Sequence, residues 1–177
     1  MPKPQTPSDE FKGKNVSGWS PTPVPVVTEA LRLAEVGSND LLFDLGCGDG
    51  RVVVRAAKLT GARAIGIDID RMLIKNTRQR IAKAGVGDRV RIRRQNLLAI
   101  PDIRRASVIF MYLPTGAVNR LKPVLRTRCS AGTRIITVSY QHRGCITGAR
   151  FRGWRPDKDL YVWFRRQKWN IGIWVIK

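Results

Sequence analysis

The apolar positions of this chain change period in a regular way. Val26, Val27, Ala30, Leu31 and Ala34 recur at helical spacing with Pro25 suited to the first turn, so a helix is predicted there. After the breaker Gly37-Ser38-Asn39-Asp40, short apolar runs alternate with helical segments. "LLFDL" (41–45) reads as a strand, and "RVVVRAAKL" (51–59) as a helix despite its valines, because Val53, Ala56 and Ala57 keep helical spacing after a glycine turn. "ARAIGID" (62–68) is a second strand, and "RMLIKNTRQRIAKAG" (71–85) a helix that buries Leu73, Ile74, Thr77 and Ile81 and stops at Gly85. "RVRIRRQ" (89–95) sets Val90 and Ile92 between arginines, the pattern of an edge strand guarded by charge. "ASVIFMY" (106–112) and "TRIITVSY" (133–140) are continuously apolar, as central parallel strands are, and the helix between them should break near Pro123. "DLYVWF" (159–164) and "NIGIWVIK" (170–177), joined by "RRQKW", have no helix between them and predict an antiparallel hairpin.

Alternation of this kind implies an α/β fold, a Rossmann-like doubly wound and mostly parallel sheet with a C-terminal antiparallel hairpin. At 177 residues there is room for one such domain, taken as residues 21–177. Residues 1–20, rich in Pro, Lys and Ser and without periodicity, read as a flexible arm. That arm has no apolar leader core, and no stretch reaches the about 18 apolar residues of a membrane span. Cys47, Cys129 and Cys145 form neither a CxxC pair nor a histidine cluster, which disfavours disulfides and a metal site and points to the cytoplasm. The net charge of +20 changes the picture of partners, because residues 101–177 alone hold 16 basic against 3 acidic side chains. Such a surface suits nucleic acid, the ribosome or an acidic protein, or serves only solubility.

The chemistry is concentrated where the first strand ends, in "DLGCGDG" (44–50). Gly46 and Gly48 fit a nucleotide turn, but the third glycine of a dinucleotide fingerprint would fall on Arg51. Asp44 is more telling. A carboxylate at the mouth of the strand repels a pyrophosphate and suits a ligand bearing an ammonium and a sulfonium. Asp68, closing the second strand, is placed to accept hydrogen bonds from ribose hydroxyls. Asp49 and Asp70 need no cofactor role as turn and helix-cap residues, and Cys47 is a small filler.

"FDLGCGDG" followed by "IGIDID" resembles motif I and the following acid of the class I, seven-strand S-adenosyl-L-methionine (SAM) methyltransferases. The resemblance implies that Asp44, Gly46, Gly48 and Gly50 form the bed for the methionine part of SAM. It implies that Asp68 holds the ribose, Ile69 lies against the adenine and Asn96 sits near the adenine amine. "YLP" after the fourth strand, "PTPVPVV" before the first helix and "GWRPDKDLYVW" before the hairpin resemble a narrower group, the small archaeal and mitochondrial protein-lysine methyltransferases. That group implies a protein substrate, with Tyr112 orienting the acceptor amine. The N-P-P-Y motif of base and glutamine methyltransferases is missing, and no acid lies between Asp102 and Asp157 to hold a catalytic metal. His142, the single histidine, reads as a solvated loop residue. Two other readings stand beside protein lysine: an RNA methyltransferase acting on rRNA, which the charge favours, and a SAM-binding module without catalysis.

Overall fold

The computed structural model describes residues 21–177 except 143–144, 149–150 and 152–154, so the predicted arm over 1–20 lies outside the described residues. The elements in chain order are α1 (Val24–Leu33), β1 (Leu41–Leu45), α2 (Arg51–Thr60), β2 (Arg63–Asp68), α3 (Arg71–Ala84), β3 (Val90–Arg94), β4 (Val108–Met111), α4 (Thr115–Arg128), β5 (Arg134–His142), β6 (Cys145–Gly148), β7 (Lys158–Phe164) and β8 (Gln167–Val175). Two 3-10 turns, Leu97–Ala99 and Ile103–Arg105, link β3 to β4. The strands form one sheet in the order β3-β2-β1-β4-β5-β8-β7, parallel from β3 to β5 and antiparallel beyond.

Helices cover both faces, because the central strands are apolar on both. Val26, Val27, Ala30 and Leu31 of α1, Val52, Val53 and Ala56 of α2 and Ile81 of α3 pack with Leu42, Phe110, Val138 and Ile171 on one face. Val118, Leu121 and Leu125 of α4 close the other over Phe43, Ile67, Ile109 and Ile135. β3 is an edge strand, as its arginines predict. The order of strand addition reverses between β1 and β4, which run parallel, and this is the place where sheets of this kind bind ligands beyond the strand ends.

Three expectations need correction. The helix α4 runs on through Pro123 rather than breaking there. Pro123 is exposed, so the backbone bond that its missing N–H forgoes is given up on the solvent side. The strand after α4 does not stop at Tyr140: β5 extends to His142 and folds back as β6, which pairs Cys145–Gly148 with Ser139–His142. His142 therefore lies in strand backbone, not in a loop. The C-terminal hairpin turns on two residues only, Arg165 and Arg166, and β8 begins at Gln167, three residues earlier than expected. Both arginines have positive φ, 48° and 61°, as a two-residue hairpin turn of the I′ kind requires.

The amino-terminal end of the sheet is locked by one buried carboxylate. Asp40 accepts from Ser107 Oγ (2.7 Å), from the Gly37 backbone N–H (2.8 Å) and from the Arg134 guanidinium. Arg134 also donates to the carbonyls of Ala34 (2.6 Å) and Glu35 (2.8 Å), so it ties the end of α1 to the start of β5. Replacing Asp40 with alanine leaves the Arg134 cation and the Ser107 hydroxyl without this partner. Asp40→Ala is expected to lower unfolding free energy by about 3 kcal/mol in denaturant titration.

Candidate functional site

β1 delivers its chain into a turn that only glycine tolerates. Gly46, Gly48 and Gly50 all have positive φ, 82°, 52° and 76°. A Cβ on Gly46 would sit 2.6 Å from Leu113 Cδ2, and one on Gly50 2.3 Å from Thr77 Cγ2. The turn is pinned from two sides. The N–H groups of Gly46 and Cys47 both donate to the Ile67 carbonyl at the end of β2 (2.8 and 3.0 Å). Gly48 donates its N–H to Asp68 Oδ2 (2.8 Å), and its carbonyl accepts from the buried hydroxyl of Thr77 in α3 (2.7 Å). Thr77 was legible as a buried helix position, but its hydroxyl had no stated purpose; a polar residue between Ile74 and Ile81 is the signal that could have found this clamp.

The carboxylates around the turn divide by environment. Asp49 gains from burial a push upward, but bidentate Arg51 (2.9 and 2.8 Å) and Arg80 (2.7 Å) outweigh it and hold its pKa below the usual carboxylate range. Asp70 caps α3 by accepting from Met72 and Leu73 N–H (2.7 and 3.0 Å), so both residues have the structural roles expected of them. Cys47 is buried, and burial followed by the nearby Asp44 and Asp68 pushes its thiol up, which suits a filler. Asp44 is the exception. It is buried on the α1/α2 face between Gly66 of β2 and Phe110 of β4, and its Oδ2 has no hydrogen-bond partner among the described residues. Burial, and then Asp68 and Asp49, push its pKa well above the usual value. An unsatisfied buried carboxylate oxygen is a site for a cationic donor.

Asp68 and Ile69 lie partly exposed at the end of β2, and Asn96 lies exposed just after β3. The Asp68 carboxylate is already organised: Oδ1 accepts from Ile69 and Asp70 N–H (2.7 and 3.0 Å) and Oδ2 from Gly48. Asn96 Oδ1 accepts from Leu98 N–H (2.9 Å), which leaves its NH₂ group as the part able to reach a purine. Across the switch point Tyr112 follows β4, with its ring 6.4 Å from Tyr140 and 5.8 Å from Trp169; the last two are 4.8 Å apart. Trp169 went unremarked in the sequence, because it was assigned to the connection and not to the alternating strand Trp169, Ile171, Ile173.

The ANTKMT methyltransferase domain model matches residues 44–148, which includes this whole turn and the β4 mouth. A protein-lysine N-methyltransferase of Saccharolobus islandicus is 33% identical over 89% of this chain and 92% of its own length. The chain belongs to the ANTKMT methyltransferase domain family. A crystal structure described as an RNA methyltransferase from Salinibacter ruber with S-adenosyl-L-homocysteine is 37% identical, has a TM-score of 0.77, and is covered over 89% of this chain and 94% of that one. A ribosomal protein L11 methyltransferase of Enterobacter sp. is 37% identical over 48% of this chain and 28% of its own length. The protein is thus a SAM-dependent methyltransferase, and the unsatisfied Asp44 oxygen with its glycine cradle fits the cationic methionine end of that cofactor.

Thr77→Val keeps the shape of the side chain and deletes the clamp on Gly48. It is expected to cost about 1–2 kcal/mol of stability, read by denaturant unfolding, because the Gly48 carbonyl loses its buried donor. For Asp44 the sign follows from linkage: a carboxyl whose pKa is raised on folding binds more protons in the native state, so stability falls as pH rises out of the ordinary carboxylate range toward the raised value. Without cofactor, thermal unfolding should show that fall, and Asp44→Asn should flatten it.

Proposed function

We propose that this methyltransferase transfers the methyl group of SAM to the ε-amine of lysine in a protein. The observation that carries the proposal is the aromatic wall beside the cofactor turn, Tyr112 and Tyr140 over Trp169, on the same face of the sheet as Asp44. SAM supplies an electrophilic methyl on a sulfonium, so the protein needs to bring a lone pair into line and keep water away. A lysine amine has that lone pair only when neutral. Exclusion of water from the mouth, in a chain of net charge +20, disfavours the ammonium and lowers the amine pKa. In the transfer the amine nitrogen forms the N–C bond as the S–C bond breaks, and the extra proton leaves the product to solvent.

In this reading the buried Asp44 carboxylate receives the cofactor's ammonium, and the open backbone at Gly46, Gly48 and Gly50 accommodates its methionine part. Asp68, preset by its three backbone donors, takes the ribose hydroxyls, Ile69 lies against the adenine, and Asn96 meets the purine edge. Tyr112 orients the acceptor nitrogen. The protein-lysine activity named for the Saccharolobus relative, similar over most of both chains, supports the acceptor assignment. No described helix is long and apolar enough to cross a membrane, and Cys47 and Cys129 are free thiols, which supports a cytoplasmic setting. RNA as the acceptor is the second reading, favoured by the description of the Salinibacter relative and by the basic surface.

The test is transfer of labelled methyl from SAM into a cell lysate that is then divided between protease and nuclease. Label that resists nuclease and is released by protease is expected; the opposite partition selects RNA, and no transfer at all leaves a binding module. Asp68→Ala in the same assay should weaken SAM binding by about tenfold or more, since it removes charge-assisted acceptors from the cofactor bed.

A further inference from the structure

The hairpin β7–β8 carries a second chemical surface, on the face of the sheet opposite to the aromatic wall. Leu160, Val162 and Phe164 turn inward against the core beneath α1, so Tyr161 and Trp163 turn outward. Trp163 is 70% exposed and Tyr161 49%, the largest aromatic area that the described residues present to solvent. Register places Lys168 opposite Trp163 and Asn170 opposite Tyr161, and the Lys168 ammonium lies 4.1 Å from the centre of the Tyr161 ring. Arg165 and Arg166 form the tip, with the Arg165 guanidinium 5.5 Å from the centre of the Phe164 ring. Gln141 pairs with Lys168, so this tip projects from the same end of the sheet as the cofactor turn.

The tip is built against local preference. Two consecutive left-handed residues call for Asn-Gly, and arginine at both positions is strained. Strain of that kind persists where the side chains are wanted, and here it sets two arginines at the tip of the hairpin that carries the exposed indole and phenol rings. Flat rings for stacking, with Lys168 on the neighbouring strand and two arginines at the turn, match unpaired bases joined by phosphates. A duplex keeps its base faces stacked internally.

We propose that the Tyr161–Trp163–Lys168 face and its Arg165-Arg166 tip form a docking platform for single-stranded RNA, separate from the methyl-transfer site. Bases stack on Trp163 and Tyr161, and Arg165, Arg166 and Lys168 pair with the backbone phosphates. The platform would bring the methyltransferase to RNA-bound targets and is independent of whether lysine or RNA takes the methyl.

Fluorescence anisotropy with a labelled twelve-nucleotide oligouridylate, on the full chain without SAM, tests it. Tyr161→Ala with Trp163→Ala should weaken binding by about tenfold or more, through the lost stacking. Arg165→Asn with Arg166→Gly installs the preferred turn, so it should raise the melting temperature while weakening binding and reducing the slope of log affinity against log salt by about 1. The same oligonucleotide annealed to oligoadenylate should be insensitive to the aromatic changes. Labelled-methyl transfer from SAM, to whichever acceptor the unaltered chain uses, should persist in both variants. The proposal fails if oligouridylate does not bind, if the aromatic double variant binds it unchanged, or if a twelve-residue polyglutamate displaces it as well and with the same dependence on Trp163; the last result would assign the surface to an acidic protein.

Discussion

Gly48 is held by both of its backbone groups, and the cofactor end of the molecule depends on that grip. Its N–H goes to Asp68 at the end of β2 and its carbonyl to Thr77 in the middle of α3. A left-handed turn of three glycines has little shape of its own, because glycine ranges freely in the unfolded chain. Here two neighbouring elements hold it, so that β1, β2 and α3 meet at one peptide. The same contact orients the Asp68 carboxylate, whose two oxygens are engaged by three backbone donors before any cofactor arrives. Preorganisation of this kind moves the ordering cost from binding to folding.

The turn also explains why Asp44 can be left unsatisfied. Burying a carboxylate with a free oxygen is unfavourable, and a folded protein sustains it only because the surrounding contacts are strong enough. On one side of the site the buried acid suits a positive group; on the other, in the proposed reading, exclusion of water and a basic chain disfavour one on the acceptor. Transfer from SAM to the proposed lysine acceptor would need this asymmetry, since the donor is a cation and an amine reacts only after losing its charge. The geometry of β5 completes the mouth. β8 occupies one edge of β5 along its length, while β4 leaves the other edge at Met111 and β6 takes it over from Ser139. The β5–β6 pairing therefore continues the sheet beyond the end of β4, where the segment Tyr112–Pro114 leaves it.

Much of this was legible from the residues in order. The period of the apolar positions located the four helices and seven of the eight strands among the described residues, since burying a face or a strand leaves a mark in local composition. The glycines, Asp44 and Asp68 announced the cofactor because a turn needing positive φ and a carboxylate at a strand end are local demands. Elements whose reason lies elsewhere in the chain escaped. β6 is too short to show a period and exists because β4 ends early. The two-residue tip at Arg165-Arg166 looked like part of a longer connection because arginine is not a turn residue by preference. Pro123 signalled a break that solvent exposure made unnecessary.

The sequence by itself determined the fold class, the order of the elements and the kind of cofactor the protein uses. Each of those follows from backbone sterics, side-chain period and the sign of a charge, all of which act over a few residues. Only the tertiary structure decided that Thr77 clamps Gly48, that Arg134 spans from Asp40 to the end of α1, and that Tyr112, Tyr140 and Trp169 form one wall. Those groups are separated by about thirty to a hundred positions along the chain. They meet because the parallel sheet brings distant strands side by side, and no period in the sequence records which side chains a shared sheet will place opposite each other.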